Sequence, residues 1–217
     1  MRILTIALFA LISIATAWVM AQDAPKPGKS VDASADDAPI FGQRVTFTEP
    51  PNFSTVVDQS SLDMYVRKSV PKGETSDHWT SMITLTGAKN AATNPQMSAQ
   101  YFAAQIAAGF QKACPMTFSV KPLGPTAISG QEAFIAVASC GKVDASAEKH
   151  SETAIIVAIK SATNVYTVQW AERTPANAEN LTIDESKWKD RLAKLAPIRV
   201  CTIKPDEKPP YPSCSDK

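Results

Sequence analysis

Two apolar, β-branched runs, Thr153–Lys160 and Val165–Glu172, are separated only by Ser161-Ala162-Thr163-Asn164. Strands this close in sequence pair as an antiparallel hairpin on a four-residue loop, which fixes the core of the fold as an antiparallel sheet. On the second strand Tyr166, Val168 and Trp170 share one face. Upstream, Gly130-Gln131 turns the chain into Ala133–Ser139, a small and almost wholly apolar strand that fits a central sheet position. Further strands are expected at Arg44–Thr48, stopped by Pro50-Pro51, and at Trp79–Thr86, with Ile83 and Leu85 on one face and Met82 on the other. Leu62, Met64 and Val66 alternate with Asp63, Tyr65 and Arg67, a half-buried strand that ends in a turn at Pro71-Lys72-Gly73. A short strand is expected at Thr117–Lys121, ended by Pro122.

Two segments carry the helical period. Asn94-Pro95 reads as a cap followed by a first-turn proline. Phe102, Ile106, Gly109, Phe110 and Ala113 then recur at steps of three and four, and Pro115 stops the run. The last helix is announced by Thr182 and Glu185 in capping-box spacing. Trp188, Leu192 and Leu195 form its inward stripe, and Pro197 ends it. The order predicts an α+β fold, an antiparallel β-sheet packed by two main helices, as a single domain over about residues 40–203. About 160 residues bury roughly 70% of their unfolded surface, enough for a full core. Hydrophobic residues at 44% and charged residues at 20% agree with a globular chain. No period of 20–50 residues repeats, which excludes a solenoid or propeller.

Ahead of this domain, Met1-Arg2 precedes an uncharged apolar run from Ile3 to Ala21, and Val19-Met20-Ala21 is a small-residue cleavage site. Residues 1–21 are read as a signal peptide, so the mature chain is expected to begin at Gln22. An uncleaved anchor is the alternative, because the run nearly reaches spanning length. The cleavage site and the polar, proline-containing segment that follows favour removal, which leaves no stable membrane anchor. No Cys follows the site, so a lipid-anchored form is not expected. Residues 22–39 are rich in Ala, Asp, Pro, Ser and Lys and read as a flexible linker.

Four cysteines remain, Cys114, Cys140, Cys201 and Cys214. An even count in an exported chain reads as two disulfides, with three possible pairings. Cys201 and Cys214 bracket the start of a proline-rich tail, residues 204–217, and a bond between them would clip a loose end. Cys114 ends a helix and Cys140 ends a strand, so they form the other expected pair, with Cys140–Cys201 as the main rival pairing. Each closed loop is worth about 3 kcal/mol in the chain-entropy model. A zinc site has no support, since no C-x-x-C occurs.

The charges nearly cancel. Lys and Arg number 22 against 21 Asp and Glu, and the leader removes only Arg2. A neutral chain without interleaved basic and aromatic residues excludes an electrostatic nucleic-acid binder. The chain has two histidines. His78 follows Asp77 just before a strand, but neighbours on an extended chain point apart, so a surface loop is the expected setting. His150 lies in a polar connection, far from His78 in sequence, and no metal-ligand spacing exists. Phosphate-loop, dinucleotide and G-x-S-x-G patterns are absent, so no cofactor and no catalytic residue is assigned. Trp79 and Trp170, with Trp188, either line a ligand groove or belong to the core. Their place on periodic apolar faces favours the core.

From Trp79 onward the layout resembles the PsbP-like and DcrB-like group of small exported α+β domains. The likeness lies in the strand ending near Thr86, the helix around Phe102 to Ala113, and the Ile128-Ser129-Gly130-Gln131 turn into a strand. A long hairpin and a terminal helix bearing Trp188, Leu192 and Leu195 complete it. The resemblance implies an antiparallel sheet between helices and a non-catalytic accessory or binding role; no family site carries over. The leading expectation is a periplasmic or secreted, non-catalytic binding or accessory protein of the cell envelope, with an envelope protein or small ligand as partner. The alternatives are an exported hydrolase using His78 and a carrier of small apolar ligands with a Trp-lined pocket.

Overall fold

The computed structural model describes residues 39–143 and 148–214. The expected signal peptide (1–21) and all but the last residue of the expected linker (22–39) lie outside the described residues. The strands are β1 (Gln43–Thr46), β2 (Phe53–Ser60), β3 (Met64–Pro71), β4 (Ser81–Ala88), β5 (Phe118–Ile128), β6 (Gln131–Cys140), β7 (His150–Lys160), β8 (Val165–Pro175) and β9 (Arg199–Thr202). The helices are α1 (Ala99–Ala113) and α2 (Glu185–Leu195). Seven strands form one antiparallel sheet in the order β2-β3-β4-β8-β7-β6-β5, and β1 pairs with β9 in a separate two-stranded ribbon. The fold class is α+β, as the hairpin and the two helical periods predict.

The hairpin supplies the two central pairings. β7 and β8 run in register from Lys160 opposite Val165 to His150 opposite Pro175. Every residue of β7 from Ala154 to Ile159 is fully buried, so both faces of the sheet are covered there. On one face Ile155, Val157 and Ile159 join Ile83, Leu85, Tyr166, Val168 and Trp170 under α2, whose Trp188 and Leu195 point into the same cluster. On the other face Ile156 and Ala158 join Phe134, Ala136 and Ala138 under α1.

That second interface corrects the expected stripe. The fully inward positions of α1 are Ala99, Ala103 and Ala107, while Phe102, Ile106 and Phe110 are half-buried along its flank. Small side chains on both helix and sheet let the two backbones approach, and the large residues are displaced to the border of the contact. The start of the helix also shifts. Ser98 is its cap and accepts from the Tyr101 N–H at 3.0 Å. Asn94 ends a preceding 3-10 turn instead, its side chain accepting from the Gln96 N–H. In α2 the cap is Asp184, whose carboxylate takes the N–H groups of Ser186 and Lys187, rather than Thr182.

Three strands also depart from expectation. β5 continues through Pro122 and Pro125 to Ile128, with a register break at Gly124 (φ 112°). Prolines are tolerated there because β5 is an edge strand and one side of its backbone needs no partner. β2 carries no clear apolar alternation because it forms the other edge. In β3 the buried residues are Tyr65, Arg67, Ser69 and Val70, whereas Leu62 is 86% exposed. The apolar-looking phase of β3 lies on the α1 face of the sheet but on the half that α1 does not reach, beside Thr84, Thr86 and Gln169 of β4 and β8. Ala133–Ser139 lies one strand in from the edge, in β6, with Phe134, Ala136 and Ala138 buried under α1 and Ala133 and Val137 buried in the cluster on the other face.

Cys114 is bonded to Cys140, joining the end of α1 to the end of β6. Cys201 is bonded to Cys214, fastening the tail to β9. Two disulfides are consistent with an extracytoplasmic location.

Candidate functional site

Two open grooves flank the lower end of β8, one on each face of the sheet. The first gathers both histidines. His78 stands on the loop between β3 and β4, and His150 is the first residue of β7 rather than part of a polar connection. Antiparallel pairing brings the ends of β7 and β8 beside that loop, so residues remote in sequence meet in a groove of about 500 Å³ lined by Glu74, Asp77, His78, Trp79, Glu148, His150 and Arg173.

Most of its polar groups already have structural partners. The Arg173 guanidinium lies 3.8 Å from the Trp79 ring centre. Its Nε donates to Glu152 at 3.2 Å and its Nη1 donates to the Asp77 carbonyl. Glu74 holds the loop closed by accepting from both the N–H and the hydroxyl of Thr80, each at 2.7 Å. His150 Nδ1 meets the Glu148 carbonyl at 2.8 Å, so that nitrogen carries the proton. Its Nε2 is buried, lacks a hydrogen bond, and sits 3.7 Å from Glu152. His78 Nδ1 is 3.6 Å from Glu148, with both side chains about four-fifths exposed. Among the described residues, neither histidine ring is hydrogen-bonded to a hydroxyl or thiol, and no cluster of three potential metal ligands occurs. A histidine beside a carboxylate can hold a proton or a ligand.

The second groove, also about 500 Å³, is lined by Glu49, Pro50, Pro51, Asn52, Phe53, Pro71, Ser81, Trp170, Glu172, Arg191 and Lys194. Trp170 forms its floor. The indole is 5% exposed, donates its Nε1–H to Ser81 Oγ at 2.7 Å, and meets Phe53 edge-on at 5.8 Å. Arg191 lies over the same ring at 5.2 Å and pairs with Glu172 at 2.5 Å, while Lys187 reaches Glu172 at 2.7 Å. Burial raises the Glu172 carboxyl, but the hydrogen bonds and charges of Lys187 and Arg191 outweigh it and hold it below the usual carboxylate range. Trp79 and Trp188 are likewise buried, Trp79 as the cap of a small cluster with Val70 and Met82.

The sequence missed the histidine groove for a reason of register. The hairpin pairing places Glu152 opposite Arg173, so an opposite-charge pair beside His150 was implied once that loop was accepted. Nothing in the sequence placed His78 against it, because that contact depends on the path of the β3–β4 loop.

No family model matches this chain, and no curated protein matches it. Among solved structures it is similar to LpqN, involved in cell envelope biogenesis of Mycobacterium tuberculosis. The two are 12% identical, with a TM-score of 0.41, over 73% of this chain and 83% of that one. The PsbP-like or DcrB-like relation expected from element order finds no match at the family level.

Proposed function

We propose that this protein is an exported, non-catalytic binding or accessory protein of the cell envelope, which engages a partner at the histidine groove. One observation carries the reading. Both histidines converge in an open groove, and the groups around them are committed to holding the loop and the ends of β7 and β8 together. Such a surface presents charge, hydrogen-bonding groups and the edge of Trp79 to a partner. The disulfides agree with a working place outside the cytoplasm.

Photocrosslinking in the native envelope tests this. A probe at Asp77, on the groove rim, should give a discrete adduct that the same probe at Lys112 on α1 does not give. Loss of that specificity overturns the reading. So does hydrolysis of ester, peptide or phosphodiester substrates by the purified protein if His78→Ala abolishes it.

A further inference from the structure

The groove over Trp170 contains one charge that the fold leaves unused. Of its ionisable lining groups, Arg191 is paired with Glu172 and Lys194 with Asp190 at 3.3 Å. Glu49 stands apart. Its Oε1 is buried without a hydrogen-bond partner, and among the described residues no cation lies within ion-pair reach of its carboxylate. The carboxylate lines the groove without a counter-charge, so it offers an open ion-pair position to a cation from outside the chain. The backbone that carries it is well anchored. The neighbouring Thr48 donates its N–H to the Leu195 carbonyl at 3.0 Å and its hydroxyl to the Ala196 carbonyl at 2.7 Å. Pro50 and Pro51 stiffen the next step. Beside this carboxylate the wall is apolar: Pro50, Phe53, Pro71 and the rim of Trp170.

We propose that this groove binds an alkylammonium group, its charged end at Glu49 and its methylene stem along Phe53, Pro50 and Pro71. An ammonium supplies three N–H donors and one positive charge, which is what the site lacks. A flexible stem lies on apolar surface while its charged end is held at a polar group. An anion is the wrong occupant, because the two cations of the groove already have carboxylate partners and an anion would meet Glu49 unshielded. The inference goes beyond the proposed function, since it concerns the opposite face of the sheet from the histidine groove.

The test is titration of the intact, disulfide-bonded protein with pentylammonium, 1-pentanol and pentanoate, read at the Trp170 indole N–H by NMR. Pentylammonium should give a saturable shift, with pentanol and pentanoate binding at least tenfold more weakly. One molar salt should weaken pentylammonium but not pentanol, because only the former rests on charge. Glu49→Gln should raise the pentylammonium Kd about tenfold, the loss of one charge-assisted contact, and leave pentanol unchanged. If that variant does not fold, the comparison of the three probes and the salt series on the natural protein decides alone. Equal binding of pentanol or pentanoate, no saturable shift, or an unchanged Kd in a folded Glu49→Gln variant overturns the proposal. None of these results alters the crosslinking outcome at Asp77.

Discussion

Gln43 is the residue whose replacement discriminates most sharply between a packed and a hydrogen-bonded account of this domain. Its Oε1 accepts from Ser161 Oγ at 2.8 Å and from Asn164 Nδ2 at 3.1 Å, and its Nε2 donates to Thr202 Oγ1 at 3.0 Å. Asn164 also donates to the Tyr166 hydroxyl at 3.1 Å, and that hydroxyl donates to the Ile40 carbonyl at 2.9 Å. Burial pushes the Tyr166 phenol up to about 12, against the smaller opposing effect of the Asn164 hydrogen bond. In Gln43→Leu the volume is nearly kept. Ser161 can turn its hydrogen to the Asn164 carbonyl at 2.9 Å, but the Asn164 N–H that pointed at Gln43 is left with only a long approach of 3.4 Å to the Phe41 carbonyl. That weakened donor costs about 1 kcal/mol and the lost bonds to Asn164 and Thr202 about 1 kcal/mol each net, set against about 1 kcal/mol gained from the added apolar burial. The expected loss is about 2 kcal/mol, or roughly 4–8 °C in Tm for a domain of this size. Denaturant unfolding with the disulfides intact, followed by tryptophan fluorescence, measures it as a lower midpoint at constant slope. The pair Gln43→Leu and Tyr166→Phe should be non-additive by at least about 0.5 kcal/mol, because the two side chains share Asn164. A loss below 1 kcal/mol, or strict additivity, would refute the network.

Gly141→Ala should destabilise the domain by about 2 kcal/mol or more, since a Cβ there would sit 2.3 Å from the Glu179 carbonyl oxygen and 2.8 Å from that of Asn177; thermal melts would show it. Ala103→Leu should cost about 1–3 kcal/mol by forcing α1 off the sheet, with Ala103 only 1% exposed, and differential scanning calorimetry reads the change directly. The lowered folded-state value of Glu172 makes a contribution that is complete above its ordinary 4.5 and disappears as pH falls through the folded value. Urea midpoints taken from pH 6 to pH 3 should therefore decline more steeply in the natural protein than in Glu172→Gln, and parallel curves would contradict the pairing with Lys187 and Arg191.

The parts of the fold that were legible in the sequence are those whose period is local. The β7–β8 hairpin needed only two apolar runs and a short loop, and the inward stripe of α2 needed only Trp188 and Leu195 two turns apart. Elements that depend on their neighbours read wrongly. The alternation in β3 fitted either phase, and the choice was made by α1 covering one half of a face and not the other. Alanines at 99, 103 and 107 carry little hydrophobic signal individually, yet they mark the closest approach of helix to sheet. β2 and β5 are edges, where one side of the backbone faces water and the usual composition rules relax. At the candidate sites, Trp79 and Trp170 stood out as large aromatic residues, whereas Glu49 resembles any surface carboxylate until the loss of its hydrogen-bonding partners is known.

The ribbon of β1 and β9 also governs how the domain answers a pull. The chain enters at Gln43 opposite Thr202 and the pairing closes at Thr46 opposite Arg199, so both ends of the domain leave from the same edge of the ribbon. Tension applied between them loads the hydrogen bonds one rung at a time, like a zipper, rather than all together in shear. The clip at Cys201–Cys214 passes a pull on the tail straight to Cys201, opposite Arg44, and spares the segment between the two cysteines. Held by its two ends, the domain should yield first at the end of the ribbon where Arg44 faces Cys201, and β1 should peel away while the seven-stranded sheet is still closed.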